Sequence, residues 1–120
     1  MSNSSQDPTQ LLPLPSAAFH ILIALASQDL HGYAIIQEVR TRTDGKVKLG
    51  AGTLYRSIQR MLEQGLISEV RERPLPELDD QRRRYYRITP FGTRVAGAET
   101  ERLSQIVEMA RARGLATEPA

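Results

Sequence analysis

Gly52-Thr53-Leu54-Tyr55-Arg56-Ser57-Ile58-Gln59-Arg60-Met61-Leu62-Glu63-Gln64-Gly65-Leu66-Ile67 reads as one amphipathic helix that stops at a glycine and passes straight into an extended segment. Leu54, Ile58, Met61 and Leu62 fall at i, i+4, i+7 and i+8, the spacing that lines apolar side chains along one face of a helix. Thr53, Tyr55, Arg56, Gln59, Arg60 and Glu63 are left largely on the other faces. Gly65 is a natural C-terminal cap, since glycine adopts the left-handed conformation that ends a helix without a Cβ clash.

Upstream, Pro13 and Pro15 stop any earlier helix, and Ser16 offers a side-chain oxygen to the free amides of a helix running to about Ser27. Apolar residues surround that helix, which places it at the centre of a core. A second helical pattern carries Tyr33, Ile36 and Val39, continues into the polar run Arg40 to Asp44, and ends at Gly45. Val47 and Leu49 alternate with Lys46 and Lys48, as in a very short strand or extended link with one face buried.

Downstream, Leu66 to Arg73 and about Arg83 to Ile88 read as two strands of a hairpin, joined by a proline- and acid-rich loop from Pro74 to Gln81. Thr89-Pro90 supplies a side-chain cap with proline at the first helical position, opening a last helix to about Arg113, before Gly114. The order helix, helix, short strand, helix, hairpin, long helix is that of a winged helix-turn-helix. The expected fold is therefore mainly α with a small β-hairpin wing and a long C-terminal dimerisation helix. Its parts are a disordered tail at 1–13, the winged helix-turn-helix at 14–88, the C-terminal helix at 89–114 and a second tail at 115–120.

A chain of 120 residues with 40% hydrophobic and 25% charged residues suits one small soluble domain. With no cysteine it has no disulfide, thiol nucleophile or thiolate metal site, and a cytoplasmic setting is expected. The most apolar run, Ala17 to Ala26, is half the length a membrane helix needs, about 20 residues. Net charge is only +2, yet Arg40, Arg42, Lys46, Lys48, Arg56 and Arg60 are opposed between 40 and 60 by Asp44 alone. That stretch carries +5 and the remainder −3, an asymmetry that points to a local anionic partner.

Four segments in register are His31-Gly32-Tyr33-Ala34-Ile35, Gly52-Thr53-Leu54-Tyr55-Arg56, Gly65-Leu66-Ile67 and Arg84-Tyr85-Tyr86-Arg87-Ile88-Thr89-Pro90-Phe91-Gly92. Together they resemble the PadR family of transcriptional regulators, over about Leu14 to Gly92. The segment after the wing resembles the branch with a single C-terminal helix. The resemblance implies a homodimeric repressor that binds operator DNA, with a possible small-molecule effector at the dimer interface and no cofactor. The connection from Pro74 to Asp80 is longer than the family pattern suggests.

Candidate DNA-binding residues are Lys46, Lys48, Thr53, Tyr55, Arg56, Gln59, Arg60 and Arg83. Arg56 has the geometry for a bidentate contact to a guanine edge or a strong phosphate contact, and Thr53 and Gln59 can hydrogen-bond bases or backbone. Lys46 and Lys48 suit phosphate contacts, and Tyr55 either packs under its helix or reaches a phosphate, the resemblance favouring contact. Of Arg82, Arg83 and Arg84, the alternating pleat sends neighbours to opposite faces; Arg83 is assigned to the DNA side. His20 reads as a hydrogen-bonded core residue, His31 as a cap, Gly32 and Gly52 as geometric, and Tyr33, Tyr85 and Tyr86 as core or interface packing with a polar tip, one of which could face DNA.

In the last helix Leu103, Val107 and Ala110, flanked by Ile106 and Met109, form a seam at steps of four and three, with Glu99, Glu101, Arg102, Glu108 and Arg111 supplying charge around it. Such a seam needs a partner, either the chain's own first helix or, favoured by its length, a second protomer. A twofold dimer would set its recognition helices about 34 Å apart, one turn of DNA, and so call for a palindromic operator. No enzyme signature emerges: Ser57 lacks a nucleophile-elbow context, the histidines lack metal-ligand spacing, and Tyr55 stands where a dinucleotide loop after Gly50-Ala51-Gly52 would need glycine. The alternative to a DNA-binding regulator is a winged-helix protein-interaction module without DNA binding.

Overall fold

Helix α1 (Ser16–Leu25) lies at the centre of the molecule and packs against helices α2 (Gly32–Arg42), α3 (Ala51–Glu63) and α4 (Pro90–Ala112). The structure is a computed structural model that describes residues 6–70 and 84–115. Ile21, Leu22 and Leu25 of α1 meet Ile35 and Val39 of α2 and Leu54, Ile58 and Met61 of α3 in one buried cluster. Each such side chain contributes about 1.5–3 kcal/mol relative to leaving it in water. The apolar period that predicts α3 is the buried face observed, with Leu54, Ile58 and Met61 buried and Leu62 packed beside them.

The sheet has three strands, the two of the expected hairpin and a third at 30–31 rather than in the stretch 46–49 that reads as a short strand or extended link. Strand β3 (Tyr85–Ile88) is central, with β2 (Ile67–Val70) antiparallel on one side and the two-residue β1 (Leu30–His31) antiparallel on the other. Register places Ile67 opposite Ile88 and Glu69 opposite Tyr86, while Leu30 meets Tyr86 from the far side. Two residues carry no readable period, so β1 exists only because β3 lends it a ladder. The proline-rich connection and Arg82 and Arg83 lie outside the described residues.

Caps follow the sequence at α4 and depart from it at α1. Thr89 accepts the Gly92 amide with its side chain at 2.9 Å, and Pro90 takes the first helical position. Ser16, by contrast, is itself the first residue of α1; the capping position is Pro15, which has no side-chain oxygen to give. His31 caps α2, its Nδ1 accepting the Ala34 amide at 3.2 Å. Gly65 ends the turn after α3 at φ +77°, as the glycine signal implies.

The described part of the expected N-terminal tail is structured. Asp7 accepts from the Thr9 amide at 2.9 Å and caps a short 3-10 helix, Pro8–Leu11, that packs on α4. Glu99, expected among surface charges, is 2% exposed. Its carboxylate accepts from Arg102 Nε at 2.6 Å and Nη2 at 3.0 Å, and from the Leu14 amide at 3.0 Å. The Arg102 hydrogen bonds, opposed by burial and assisted by the Leu14 amide, hold the Glu99 carboxyl below the ordinary glutamate range. Its contribution to stability is therefore complete above that range and is lost as pH falls through the lowered value.

Candidate nucleic-acid interface

The link between α2 and α3 is built so that its lysines face outward. Asp44 and Gly45 take positive φ (53° and 78°), and the Gly45 amide donates back to Arg40 O at 2.8 Å, closing α2. Thr43 then pins the returning chain: its hydroxyl donates to Val39 O at 2.8 Å and accepts from the Val47 amide at 3.0 Å. With Val47 and Leu49 packed on the core, Lys46 and Lys48 are exposed. The segment is an extended link; it forms no strand.

On α3, Thr53, Tyr55, Arg56, Gln59 and Arg60 are all exposed, opposite the buried face. Among the described residues Arg56 reaches only Thr53 Oγ1, at 3.5 Å, and Gln59 only Glu63, at 3.4 Å, both weak contacts at the limit of hydrogen-bond geometry. Arg42 is neutralised by Glu38 at 2.6 Å, whereas Arg40, Lys46, Lys48, Arg56 and Arg60 have no ion pair among the described residues. The charge asymmetry of the sequence thus survives folding as exposed cations on α3 and the link before it.

Tyr55 is a half-exposed ring, 52% accessible, whose hydroxyl lies against Gly32. A Cβ at Gly32 would meet that hydroxyl and displace the half-exposed ring, so this glycine lets Tyr55 lie over the start of α2. Gly52 has no comparable neighbour; a Cβ added there would lie 3.4 Å from Arg56 Nη1. Tyr33 is not in the core: it is 63% exposed and accepts from Gln37 Nε2 at 2.8 Å, which leaves the interface and DNA-facing readings of it open. With Gly32, Ile35 and Val39 buried, positions 33, 37 and 40 share the opposite face of α2, so the row of Tyr33, Ile36 and Val39 is not the buried one.

The wing is tied to the helices. Arg87 of β3 makes a bidentate pair with Asp29, at 3.1 and 2.8 Å, and His31 packs edge-on against Tyr85 with ring centroids 5.3 Å apart. Arg84 is held loosely by Glu69 across the strands, at 3.9 Å. Arg83, the wing residue assigned to DNA, lies outside the described residues.

The C-terminal seam is apolar and largely uncovered. Ile106, Val107 and Met109 are exposed, while Leu103 and Ala110 are half-buried. An open groove of about 440 Å³ runs beside it, lined by Phe19 of α1 and by Thr100, Leu103, Ser104, Val107 and Glu108 of α4. Ile23, one turn beyond Phe19 on α1, is 51% exposed, so α1 is not buried all round as its composition suggests. Among the described residues no helix is long and apolar enough to cross a membrane, and no His, Asp and Glu cluster has the makings of a metal site.

The sequence profile of the Transcriptional regulator PadR-like family matches residues 21–98. This chain belongs to the PadR-like family. Among solved PadR-like and related folds, a transcriptional regulator from Clostridium thermocellum superposes with a TM-score of 0.69 at 27% identity, over 80% of this chain and 87% of that one. Bacillus subtilis PadR in complex with operator DNA superposes at 0.59 with 14% identity, a likeness of fold, over 90% of this chain and 51% of that one. An uncharacterised protein of Lysinibacillus sphaericus is 36% identical over 73 residues, 60% of this chain and 63% of that relative, so less than two thirds of the relative is matched. The PadR-like match ends one residue before Glu99, so the seam from Leu103 to Ala110 lies beyond it.

Proposed function

We propose that this chain is a sequence-specific DNA-binding transcriptional repressor that acts in the cytoplasm as a homodimer on a palindromic operator, without catalytic activity. The observation that carries the reading is the outer face of α3, where Thr53, Arg56, Gln59 and Arg60 stand exposed beside Lys46 and Lys48, with no carboxylate among the described residues neutralising their cations. That is the arrangement of a recognition helix entering a major groove with phosphate contacts on its flank. Tyr55 extends the face toward Gly32 at the start of α2. The PadR-like family and the operator-bound Bacillus subtilis fold support the same assignment. The seam of Ile106, Val107 and Met109 receives a second protomer, and the groove beside it is where the partner would enclose a small-molecule effector.

Duplex binding measured by fluorescence anisotropy across a salt series tests the electrostatics. A dimer with about three phosphate contacts per protomer gives a log–log affinity slope of roughly −5. Binding that stays weak and sequence-independent even at low salt, with a protein partner retained, would instead identify a protein-interaction module. On the selected operator, Arg56→Ala costs about 1–3 kcal/mol if Arg56 reads a base edge, with dimer mass unchanged. Unaltered affinity removes Arg56 from the site.

A further inference from the structure

The apolar stripe of α4 is interrupted at one place. Phe91, Val95, Leu103, Val107 and Ala110 follow one another at steps of three or four around a position that would complete the row, and that position is Glu99. A leucine there would continue the seam without taking a charge out of water. The buried carboxylate instead holds two partners, Arg102 on its own helix and the Leu14 amide 85 residues earlier in the chain. Leu14 stands between Pro13 and Pro15, so its N–H is the one backbone donor of that three-residue run. Because Leu14 is itself buried, that donor needs a partner inside the protein. Pro15 then leads directly into α1.

Glu99 also marks where α4 changes role. Phe91, Gly92, Val95 and Glu99 are the buried residues of the helix; beyond Glu99 its apolar side chains are exposed or half-buried. Helix α4 is continuous through this point, so the Glu99–Leu14 contact is the joint at which the segment entering α1 braces the helix as it leaves the winged domain. From Glu99 to Ala112 the helix advances about 20 Å, so a tilt of about 10° at the joint carries its end about 3.4 Å, the rise of one base pair.

We propose that Glu99 is a positioning residue for operator binding: through Leu14 and Arg102 it fixes the direction in which the second half of α4 leaves the winged helix, and with it the separation of the two recognition helices. The inference rests on the dimeric DNA-binding reading above. A polar residue placed within an apolar seam sets geometry at a cost in stability, as a single buried polar position does in coiled coils.

The test uses the full chain and duplexes that carry the selected half-site twice, with the centre-to-centre spacing changed one base pair at a time. The wild-type protein shows a single optimum near one helical turn, about 10 base pairs, and loses about tenfold or more for each step away from it. Glu99→Leu keeps the dimer mass in sedimentation but flattens the profile, so that neighbouring spacings differ by about threefold or less. Glu99→Gln, which keeps a carbonyl oxygen for the Leu14 amide, restores the optimum. Leu14→Pro removes the amide, leaves the Glu99–Arg102 pair in place and flattens the profile likewise, which serves if Glu99→Leu fails to fold. A folded, dimeric Glu99→Leu or Leu14→Pro protein with the wild-type optimum overturns the proposal while leaving the regulator reading intact. A wild-type protein that binds no paired half-sites overturns both.

Discussion

Gly92→Ala lowers the melting temperature by about 10–15 °C, whereas Gly97→Ala, the same change five residues further along α4, raises it slightly. At Gly92 an added Cβ would collide with the carbonyl oxygen of Leu66 and lie 3.0 Å from both Leu66 C and Ile88 Cγ1. The first obstacle is backbone, and it is committed: Leu66 O already accepts from the Thr89 amide and hydroxyl, each at 3.1 Å. Relief therefore requires α4 to lift from the start of β2. Overpacking of this kind costs about 3 kcal/mol, a large share of the roughly 5–15 kcal/mol that separates folded from unfolded domains. Gly97 is exposed, and a Cβ added there would meet nothing within 4 Å. Alanine at that position only narrows the unfolded ensemble, worth about 0.5–1 kcal/mol in the opposite direction. Thermal melts of the pair compare one chemical change in two settings of one helix. Equal shifts for the two variants would mean that the contact between α4 and Leu66 does not set stability.

Which parts of this architecture the sequence reveals follows from where each signal resides. Helix α3 is legible because its burial and its polar face obey the same period, Leu54, Ile58 and Met61 inward against Arg56, Gln59 and Arg60 outward. The start of α4 is legible because Thr89-Pro90 satisfies free amides by local chemistry alone. Strand β1 is not, since Leu30 and His31 become a strand only by pairing with Tyr85 and Tyr86, far along the chain. Glu99 is hidden for the same reason: a glutamate among Glu101, Arg102 and Glu108 reads as a surface charge until Leu14 is known to lie over it. Exposure of Tyr33 is missed because the helical pattern groups it with Ile36 and Val39, whereas the buried row of α2 is Gly32, Ile35 and Val39. In the site, the exposed cations of α3 and the link were placed by local pattern, while the pairing of Arg87 with Asp29 depends on the sheet.

Val107→Asp yields a single-protomer mass and weakens operator binding by about 100-fold or more. Val107 is 47% exposed and lines the groove beside Phe19, so in a lone protomer the carboxylate stays hydrated and the fold is unaffected. Leu103 is the less clear probe, because it is already half-buried within the protomer and a charge there would strain the fold as well as the seam. In a dimer joined through α4, the same carboxylate would be taken out of water against apolar side chains of the partner, at an effective cost of several kcal/mol per ion, incurred twice by symmetry. Losing the dimer converts the second half-site contact from an intramolecular event into an independent one, and the affinity gained by linking two sites, commonly about 10²- to 10⁴-fold, goes with it. Binding to one half-site should remain, since α3 is untouched. Sedimentation velocity together with anisotropy on whole and half operators separates the two effects. If Val107→Asp still sediments as a full-strength dimer, the protomers meet on another surface, and the outward stripe of α1 that carries Ile23 is the next face to substitute.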